Sequence, residues 1–219
     1  NLNKKILIIA DKSFKFNNFL IKREEEINEI KVIYINTDIQ YGSRFIIKRI
    51  LDIIISILLM LILLPILLAT AVYIYFLDGR PIILKQQRVG LHGDTFSMFK
   101  FRTMKNDSHD ERTDLENLNE HSGPLFKIKD DPRIIYGASN LRKFSIDELP
   151  QIFNVLKGNM SLVGPRPLFP EDSEHFDEHY LRRLNVLPGI TGLLQINERN
   201  TSDFNIWYKY DIEYIEHWS

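Results

Sequence analysis

One long apolar segment limits the possible folds of this chain more than any other feature. The 25 residues from Ile53 to Leu77 contain no charged side chain. At 1.5 Å per residue, a helix of that length extends about 38 Å, which exceeds the hydrocarbon thickness of a bilayer, about 30 Å. A core helix of a soluble domain is the alternative, but such a helix rarely lacks a polar face for so long. The segment therefore predicts a helix that enters a membrane.

Pro65 lies in the middle of this segment and leaves its topology open. A proline inside a helix removes a backbone donor and bends the axis, and each half is then about 18 Å long, too short to cross a bilayer alone. Basic residues flank both ends, so the positive-inside rule favours neither orientation and allows both flanks to be cytoplasmic. These residues are Arg44, Lys48 and Arg49 before the segment, and Arg80, Lys85 and Arg88 after it. A kinked spanning helix and a re-entrant helical hairpin both fit.

Composition argues against a nucleic-acid partner. The chain has 219 residues, a formal net charge of −1 and no cysteine. It therefore lacks the general basic field that nucleic acid requires, and disulfides and thiolate metal sites are excluded. Its hydrophobic content of 44% is sufficient for a packed core.

The patterns on both sides of the apolar segment predict an α/β fold. Residues 5–10 and 31–35 are strand patterns separated by a charged stretch, which suggests a strand–helix–strand unit. Such a pair of strands does not make a stable sheet alone, so residues 1–43 are interpreted as an appendage or as the end of a larger domain. Residues 44–78 form the membrane element and residues 79–219 a globular domain. Helical spacing occurs in three parts of that domain, at residues 149–156, 171–184 and 203–218.

Two adjacent carboxylates, Asp147 and Glu148, are the strongest candidates for chemistry. Each raises the proton affinity of the other unless a cation lies between them, and Mg²⁺ typically binds one or two carboxylates together with phosphate oxygens. An ionised aspartate can also attack phosphorus. The alternative is that Asp147 caps a helix and Glu148 lies in its first turn, with Pro150 also tolerated there. Both interpretations can hold together.

Several basic residues are candidate ligands for phosphate. Arg166 is the strongest of these candidates. Pro165 and Pro167 restrict its backbone, so it loses less conformational freedom when it binds a phosphate. For any one of these residues taken alone, a solvated surface charge is the alternative. The full set is Arg88, Lys100, Arg102, Arg142, Arg166 and Arg199.

Two further patterns favour structural interpretations. His175 to His179 matches H-x-x-E-H, but a short match in an acidic segment indicates a solvated helix rather than a zinc protease. Trp207, Tyr210, Tyr214 and Trp218 lie near one face of a predicted helix. Packing on the core or at a membrane interface is favoured over a sugar platform.

From about Arg44 onwards, the chain resembles the bacterial sugar transferases that are monotopic phosphoglycosyl transferases. The order and spacing of the shared segments agree throughout. These segments are 100–104, 130–133, 145–151, 154–158, 160–168 and 188–192, followed by Gln195, Asn197, Arg199 and Asn200.

The resemblance implies transfer of a sugar-1-phosphate from a UDP-sugar to polyprenyl (undecaprenyl) phosphate, with release of UMP. Asp147 would be the nucleophile of an acid dyad with Glu148, with Mg²⁺ held by these two residues, and Lys100, Arg142, Arg166 and Arg199 would bind phosphate and substrate. The helix at residues 48–77, broken at Pro65, would be re-entrant and keep both ends on the cytoplasmic face of the bacterial inner membrane. Membrane lipid is then a partner, nucleic acid is not, and homo-oligomerisation is left open.

The chain also departs from the family pattern. Leu64 replaces the serine that often precedes the breaking proline, and Asp94 stands where a basic residue is usual. Residues 135–140 are less basic than in the family, and residues 193–194 and 198 differ beside the expected sugar pocket. Relatives continue with a further apolar stretch beyond Ser219, so we expect part of the domain to be missing. A catalytically inactive membrane scaffold for polysaccharide assembly is the alternative function.

Overall fold

The computed structural model describes the backbone of three strands at residues 6–10, 21–27 and 30–35, and then residues 43–105, 128, 131–173, 180–198 and 201–217. The described part combines helices with short strands, which confirms the predicted mixture of the two.

The N-terminal strands form one antiparallel sheet in the order β1-β3-β2. They are β1 (Ile6–Ala10), β2 (Ile21–Ile27) and β3 (Ile30–Ile35). The predicted strand–helix–strand unit is wrong in its middle element, because β2 occupies part of the expected helix and forms a hairpin with β3. β2 is an edge strand, a position at which charged residues are common. The division of the chain into an appendage, a membrane element and a globular domain stays a prediction.

The next element, α1 (Ser43–Asp78), is the long helix that the apolar segment predicts. It continues through Pro65, so the helix break predicted at this proline is not confirmed and stays a prediction. In the described ranges α1 is the one helix that is long and apolar enough to cross a membrane. Its buried residues are Asp52, Ser56, Leu67, Thr70 and Ile74, whereas residues 57–66 include none. At 100° per residue the five buried positions share one face. α1 therefore packs against the rest of the chain through both of its halves and is exposed in the middle.

Two strands after α1 form the antiparallel hairpin β4 (Ile83–Val89) and β5 (Thr95–Phe101). The connection between the two strands begins after Val89, which pairs with Thr95 at the end of the hairpin. Phe96 and Met98 lie two residues apart, both on the buried face of β5. Because side chains alternate along a strand, Lys100 is the next residue on that face. The strand thereby directs Lys100 towards the interior.

Two short helices follow, α2 (Ser139–Lys143) and α3 (Gln151–Lys157). Pro150 lies at the N-cap of α3, and Gly158 ends it with a φ of 92°, a left-handed conformation that suits glycine. This confirms the helix predicted at residues 149–156. One apolar cluster joins α1 to β5 and α2, and it consists of Leu67, Ile74, Phe101, Ile135, Ala138 and Leu141.

A parallel pair of short strands, β6 (Ser161–Val163) and β7 (Gly189–Thr191), lies beyond α3. The helix predicted at residues 171–184 is only partly correct, since α4 (Pro170–Ser173) is α-helical but residues 180–185 form a 3₁₀ helix. The last helices are α5 (Leu193–Asn197) and α6 (Phe204–Glu216). Trp207 of α6 packs against Leu168, Tyr180 and Leu194, which confirms a core role for this tryptophan.

Candidate active site

The two adjacent carboxylates lie in a tight turn between α2 and α3. Ser145 adopts a φ of 58°, a conformation uncommon for a residue with a side chain, and a 3₁₀ helix over Ile146–Glu148 follows it. Asp147 is buried, with 7% of its surface exposed. It lies inside the 3₁₀ helix rather than at a cap, and the N-cap of α3 is Pro150, so Asp147 does not cap a helix. The turn therefore presents a carboxylate that helix capping does not use.

Two of the predicted cations contact this pair. Lys100 Nζ lies 2.9 Å from Glu148 Oε1 and 3.9 Å from Asp147 Oδ2. Arg166 Nη2 lies 2.9 Å from the same Glu148 oxygen. Lys100 comes from β5 and Arg166 from the loop after β6, so three separate parts of the chain meet at the dyad. Glu148 holds both cations within reach of Asp147.

The environment pushes the pKa values of the two carboxyls apart. Burial raises the pKa of Asp147 above its usual range, although the charges of Lys100, Arg142 and Arg166 oppose this. Burial would also raise the pKa of Glu148, but Arg166 and Lys100 outweigh it and hold that pKa well below its usual range. Pairs of carboxyls with such different environments are suited to different chemical roles.

The loop that carries Arg166 is fixed by close backbone contacts with β7. Gly164 N donates to Thr191 O at 2.9 Å, and Gly189 N donates to Pro165 O at 2.8 Å. A Cβ atom on Gly189 would lie 2.1 Å from Gly164 N, so the two backbones can approach this closely only with glycine. The flanking prolines and these contacts together limit the positions that the Arg166 guanidinium can take.

Arg88 lies at a shallow, open cleft that Arg166 also lines. Its guanidinium stacks over the Phe169 ring, 3.3 Å from the centroid, and donates to Pro167 O at 3.4 Å. The other residues that line the cleft are Met98, Gln151, Pro167, Gly189 and Ile190.

Arg102 is not at the dyad. β5 ends at Phe101, and the buried Arg102 side chain, 2% exposed, turns to the end of α1, where it pairs with Asp78 Oδ2 at 3.0 Å and donates to Asp78 O at 2.6 Å. This placement favours a structural role for Arg102, and its assignment as a phosphate ligand stays a prediction.

Several of the predicted residues lie outside the described residues. They are Arg199, a candidate phosphate ligand, the H-x-x-E-H stretch from His175 to His179, Trp218 of the aromatic face, and Asp130 and Asn200 of the shared segments.

Asn154 is a positioning residue that the sequence analysis left without a role. Its side chain is fully buried; Phe99 N donates to its Oδ1 at 2.9 Å, and its Nδ2 donates to Ser97 O at 2.8 Å. These bonds join α3 to the edge of β5, one residue before Lys100. A buried amide in the middle of a short apolar helix is the signal that could have identified it.

Asp52 was also overlooked, because it immediately precedes the uncharged segment. Its carboxylate accepts hydrogen bonds from Lys48 Nζ at 3.0 Å and from Ser161 Oγ at 2.7 Å. Arg49 donates to Leu156 O at 3.2 Å, at the end of α3. The N-terminal half of α1 is thus tied to the globular domain by polar contacts.

The dyad is chemically suited to magnesium. Within the described ranges, no group of three or more histidine, cysteine, aspartate or glutamate residues could hold a metal ion. Mg²⁺ needs fewer protein ligands than that, because it usually binds one or two carboxylates and completes its shell with phosphate oxygens and water. Asp147 and Glu148 match that smaller donor set.

Comparison with known proteins gives a consistent family. The model of the family described as "Bacterial sugar transferase" matches residues 43–219. Galactosyl transferase CpsE of Streptococcus agalactiae serotype III is 41% identical over 220 residues, covering 98% of this chain and 48% of its own length. The uncharacterized sugar transferase EpsL of Bacillus subtilis is 41% identical over 174 residues, covering 80% of each protein. The UDP-glucose:undecaprenyl-phosphate glucose-1-phosphate transferase of Xanthomonas campestris is 37% identical over 206 residues, covering 89% of this chain and 40% of its own length.

The chain thus spans less than half of two of these relatives and four fifths of the third. The family match starts at α1 and includes the dyad, the Arg166 loop and α6. On this evidence the chain belongs to the bacterial sugar transferase family.

Proposed function

We propose that this chain transfers a sugar-1-phosphate from a UDP-sugar to polyprenyl phosphate, in practice undecaprenyl phosphate, and releases UMP. The observation that carries the proposal is the buried Asp147 carboxylate, 3.9 Å from Lys100 and adjacent to the Lys100–Glu148–Arg166 cluster. A buried nucleophile beside fixed cations suits attack on phosphorus. The name of the Xanthomonas relative describes a reaction of this kind.

The reaction proceeds in two displacements at the same phosphorus atom. An oxygen of the ionised Asp147 attacks the β-phosphorus of the UDP-sugar, the bond from that phosphorus to the bridging oxygen breaks, and UMP leaves with the bonding electrons. A phosphate oxygen of polyprenyl phosphate then attacks the aspartyl-linked phosphosugar. The bond between phosphorus and Asp147 breaks, which yields the lipid diphosphate sugar and restores the carboxylate.

The cations around the dyad would hold the phosphate charge during both displacements. Arg166 and Lys100 are already fixed by Glu148, so they lose little freedom when a phosphate binds. Arg142 is close enough for its charge to act on Asp147. A magnesium ion bound by Asp147, Glu148 and substrate oxygens would add further neutralisation of the phosphates.

We also propose that α1 is re-entrant and that the dyad lies at the cytoplasmic face of the bacterial inner membrane. Both halves of α1 pack on the globular domain, through Asp52 and Ser161 at one end and Ile74 and Phe101 at the other. The exposed apolar stretch between them, residues 57–66, would be about 15 Å long as a helix, half of a hydrocarbon core. A spanning helix would place its two halves on opposite sides of the membrane, which is incompatible with packing on one domain.

The test is a panel of UDP-sugars incubated with the purified protein, Mg²⁺ and undecaprenyl phosphate in nanodiscs, with UMP release as the readout. We expect release with one or a few sugars and none from Asp147→Asn, whose amide is nearly isosteric but cannot act as the nucleophile. Absence of UMP with every sugar, or an active Asp147→Asn protein, would contradict the proposal.

A further inference from the structure

The Arg166 loop is held from a second side by the C-terminal part of the chain. Arg183, in the 3₁₀ helix at residues 180–185, donates from Nη2 to the carbonyl oxygen of Arg166. Its Nε donates at 3.0 Å to Asp211 Oδ2 on α6, which also accepts from the Tyr180 hydroxyl at 2.8 Å. A continuous chain of contacts therefore runs from α6 through Arg183 and Arg166 to Glu148.

The pair of Arg183 and Asp211 is almost completely buried. The exposed fractions of the two side chains are 3% and 4%. A buried ion pair is seldom the most stable solution, because two apolar side chains of similar volume often stabilise a fold as well or better. The Arg183 guanidinium also donates a hydrogen bond to the Arg166 carbonyl oxygen, which an apolar side chain could not do. The buried ion pair and this hydrogen bond together indicate that Arg183 positions the Arg166 loop in addition to any contribution to stability.

Every residue from Val163 to Arg166 has a fixed backbone group. Val163 O accepts from Tyr214 Oη at 2.8 Å, and Gly164 N and Pro165 O bond to β7. The fourth residue is Arg166, whose carbonyl oxygen accepts from Arg183 and whose side chain contacts Glu148. Loss of that contact would release the loop at the point from which the Arg166 side chain extends.

We propose that Arg183, held by Asp211, is a positioning residue that fixes the Arg166 guanidinium against Glu148. The effect on loop mobility is independent of the substrate, whereas the effect on turnover rests on the proposed function.

The primary variant is Arg183→Lys, which keeps the positive charge beside Asp211 but has one ammonium group in place of the guanidinium fork. Arg182→Lys is the matched control, since its side chain is 38% exposed and pairs with Glu216 at the surface. Asp211→Asn is a second, nearly isosteric variant, which weakens the hold on Arg183. Thermal unfolding of each variant shows whether it is folded.

Hydrogen–deuterium exchange measures the loop directly. Pro165 and Pro167 carry no amide hydrogen, so the informative amides are those of Gly164, which donates to Thr191 O, and Gly189, which donates to Pro165 O. We expect these two to exchange about 10-fold faster in Arg183→Lys, with no change in α3 or the β4–β5 hairpin, and no change in Arg182→Lys. Unchanged loop exchange in a folded Arg183→Lys protein, or a uniform increase across the domain, would overturn the proposal.

A double-mutant cycle with Arg166 supplies the functional arm. We expect Arg183→Lys to lower kcat/KM for the UDP-sugar about 10-fold, as a small displacement of a binding group does, but to have little effect in an Arg166→Ala background. Equal losses in both backgrounds would mean that Arg183 does not act through Arg166. A parent protein that releases no UMP but shows the localised exchange would contradict the proposed function and leave the positioning role supported.

Discussion

At the scale of single residues, the site depends on how charge is distributed around two adjacent carboxyls. Lys100 and Arg166 both bind Glu148, which stays ionised and cannot easily accept a proton. Asp147 lies next to the same cations with less direct contact, and its burial raises the pKa of its carboxyl. Glu148 therefore holds the two cations, and in the proposed reaction this would leave Asp147 available as the nucleophile.

The raised pKa of Asp147 predicts how activity depends on pH. The nucleophile must be ionised, so kcat/KM should fall as the pH drops through this pKa, and the fall should begin at a higher pH than for an exposed aspartate. The fall of kcat/KM at low pH is the acid limb of the profile. Lys100→Gln removes a charge that lowers the pKa of Asp147, so it should move the acid limb to higher pH. Glu148→Gln removes a charge that raises the pKa and should move the limb to lower pH.

The shape of the pH profile is the relevant measurement, because both variants will also lose rate. UMP release at limiting UDP-sugar should be recorded across the acid limb for the parent and each variant. Shifts of the two variants in the same direction would show that another group controls the limb.

Sequence patterns predicted a residue's role best where that role depends on the residues next to it in the chain. The dyad, the prolines around Arg166 and the apolar run are all local patterns, and the structure brings Asp147, Glu148, Lys100 and Arg166 together. Arg102 was misplaced because the sequence does not show that β5 ends at Phe101. Arg183 and Asp211 are 28 residues apart, and nothing local indicates that they meet.

At the scale of elements, α3 links the β4–β5 hairpin to the long apolar helix α1. Asn154 joins it to β5, and Arg49 of α1 donates to Leu156 O near its end. The helical spacing of residues 149–156 predicts α3, but periodicity gives no information on which strand edge a buried amide will contact. The same limit applies to β2, where charged residues on an edge strand resemble the exposed face of a helix.

Asn154→Ala should destabilise the protein and reduce its activity together. The change leaves Phe99 N and Ser97 O without their buried partner, which typically costs about 1–3 kcal/mol for each group. We expect a clear fall in the thermal midpoint, and a lower rate because Lys100 loses its support. Scanning fluorimetry and UMP release would measure the two effects.

Asn159→Ala is the matched control for this change. Within the described residues the Asn159 side chain makes no hydrogen bond, so the same substitution should leave the midpoint nearly unchanged. A similar fall in both variants would show that the contacts of Asn154 with β5 are not what stabilises the domain.

At the scale of the whole molecule, the exposed apolar part of α1 lies between two halves that pack on one domain. This arrangement predicts that both ends of α1 face the cytoplasm. The chain has no cysteine, so Ser43→Cys and Lys105→Cys each introduce a single thiol at an exposed position. Both thiols should react with an impermeant reagent only from the cytoplasmic side. Labelling of Ser43→Cys from the outside would indicate a spanning helix.

Pro65 and Asp52 should contribute to this topology in different ways. Pro65→Leu restores a backbone donor and favours a straight helix, but Asp52 would still tie the first half to Ser161. We therefore expect partial external labelling of Ser43→Cys with Pro65→Leu alone, and more when Asp52→Leu is added. No external labelling of the double variant would show that neither residue determines the topology.

The central claim is that Asp147 forms a covalent link to the phosphosugar, and intact-mass measurement tests it most directly. The protein is incubated with its UDP-sugar and Mg²⁺ without lipid acceptor, and its mass is then recorded. The two-displacement reaction predicts an added phosphosugar, up to one per chain, that disappears when undecaprenyl phosphate is supplied and never forms on Asp147→Asn. An active protein that carries no adduct, with rate plots that show both substrates bound before UMP leaves, would contradict it.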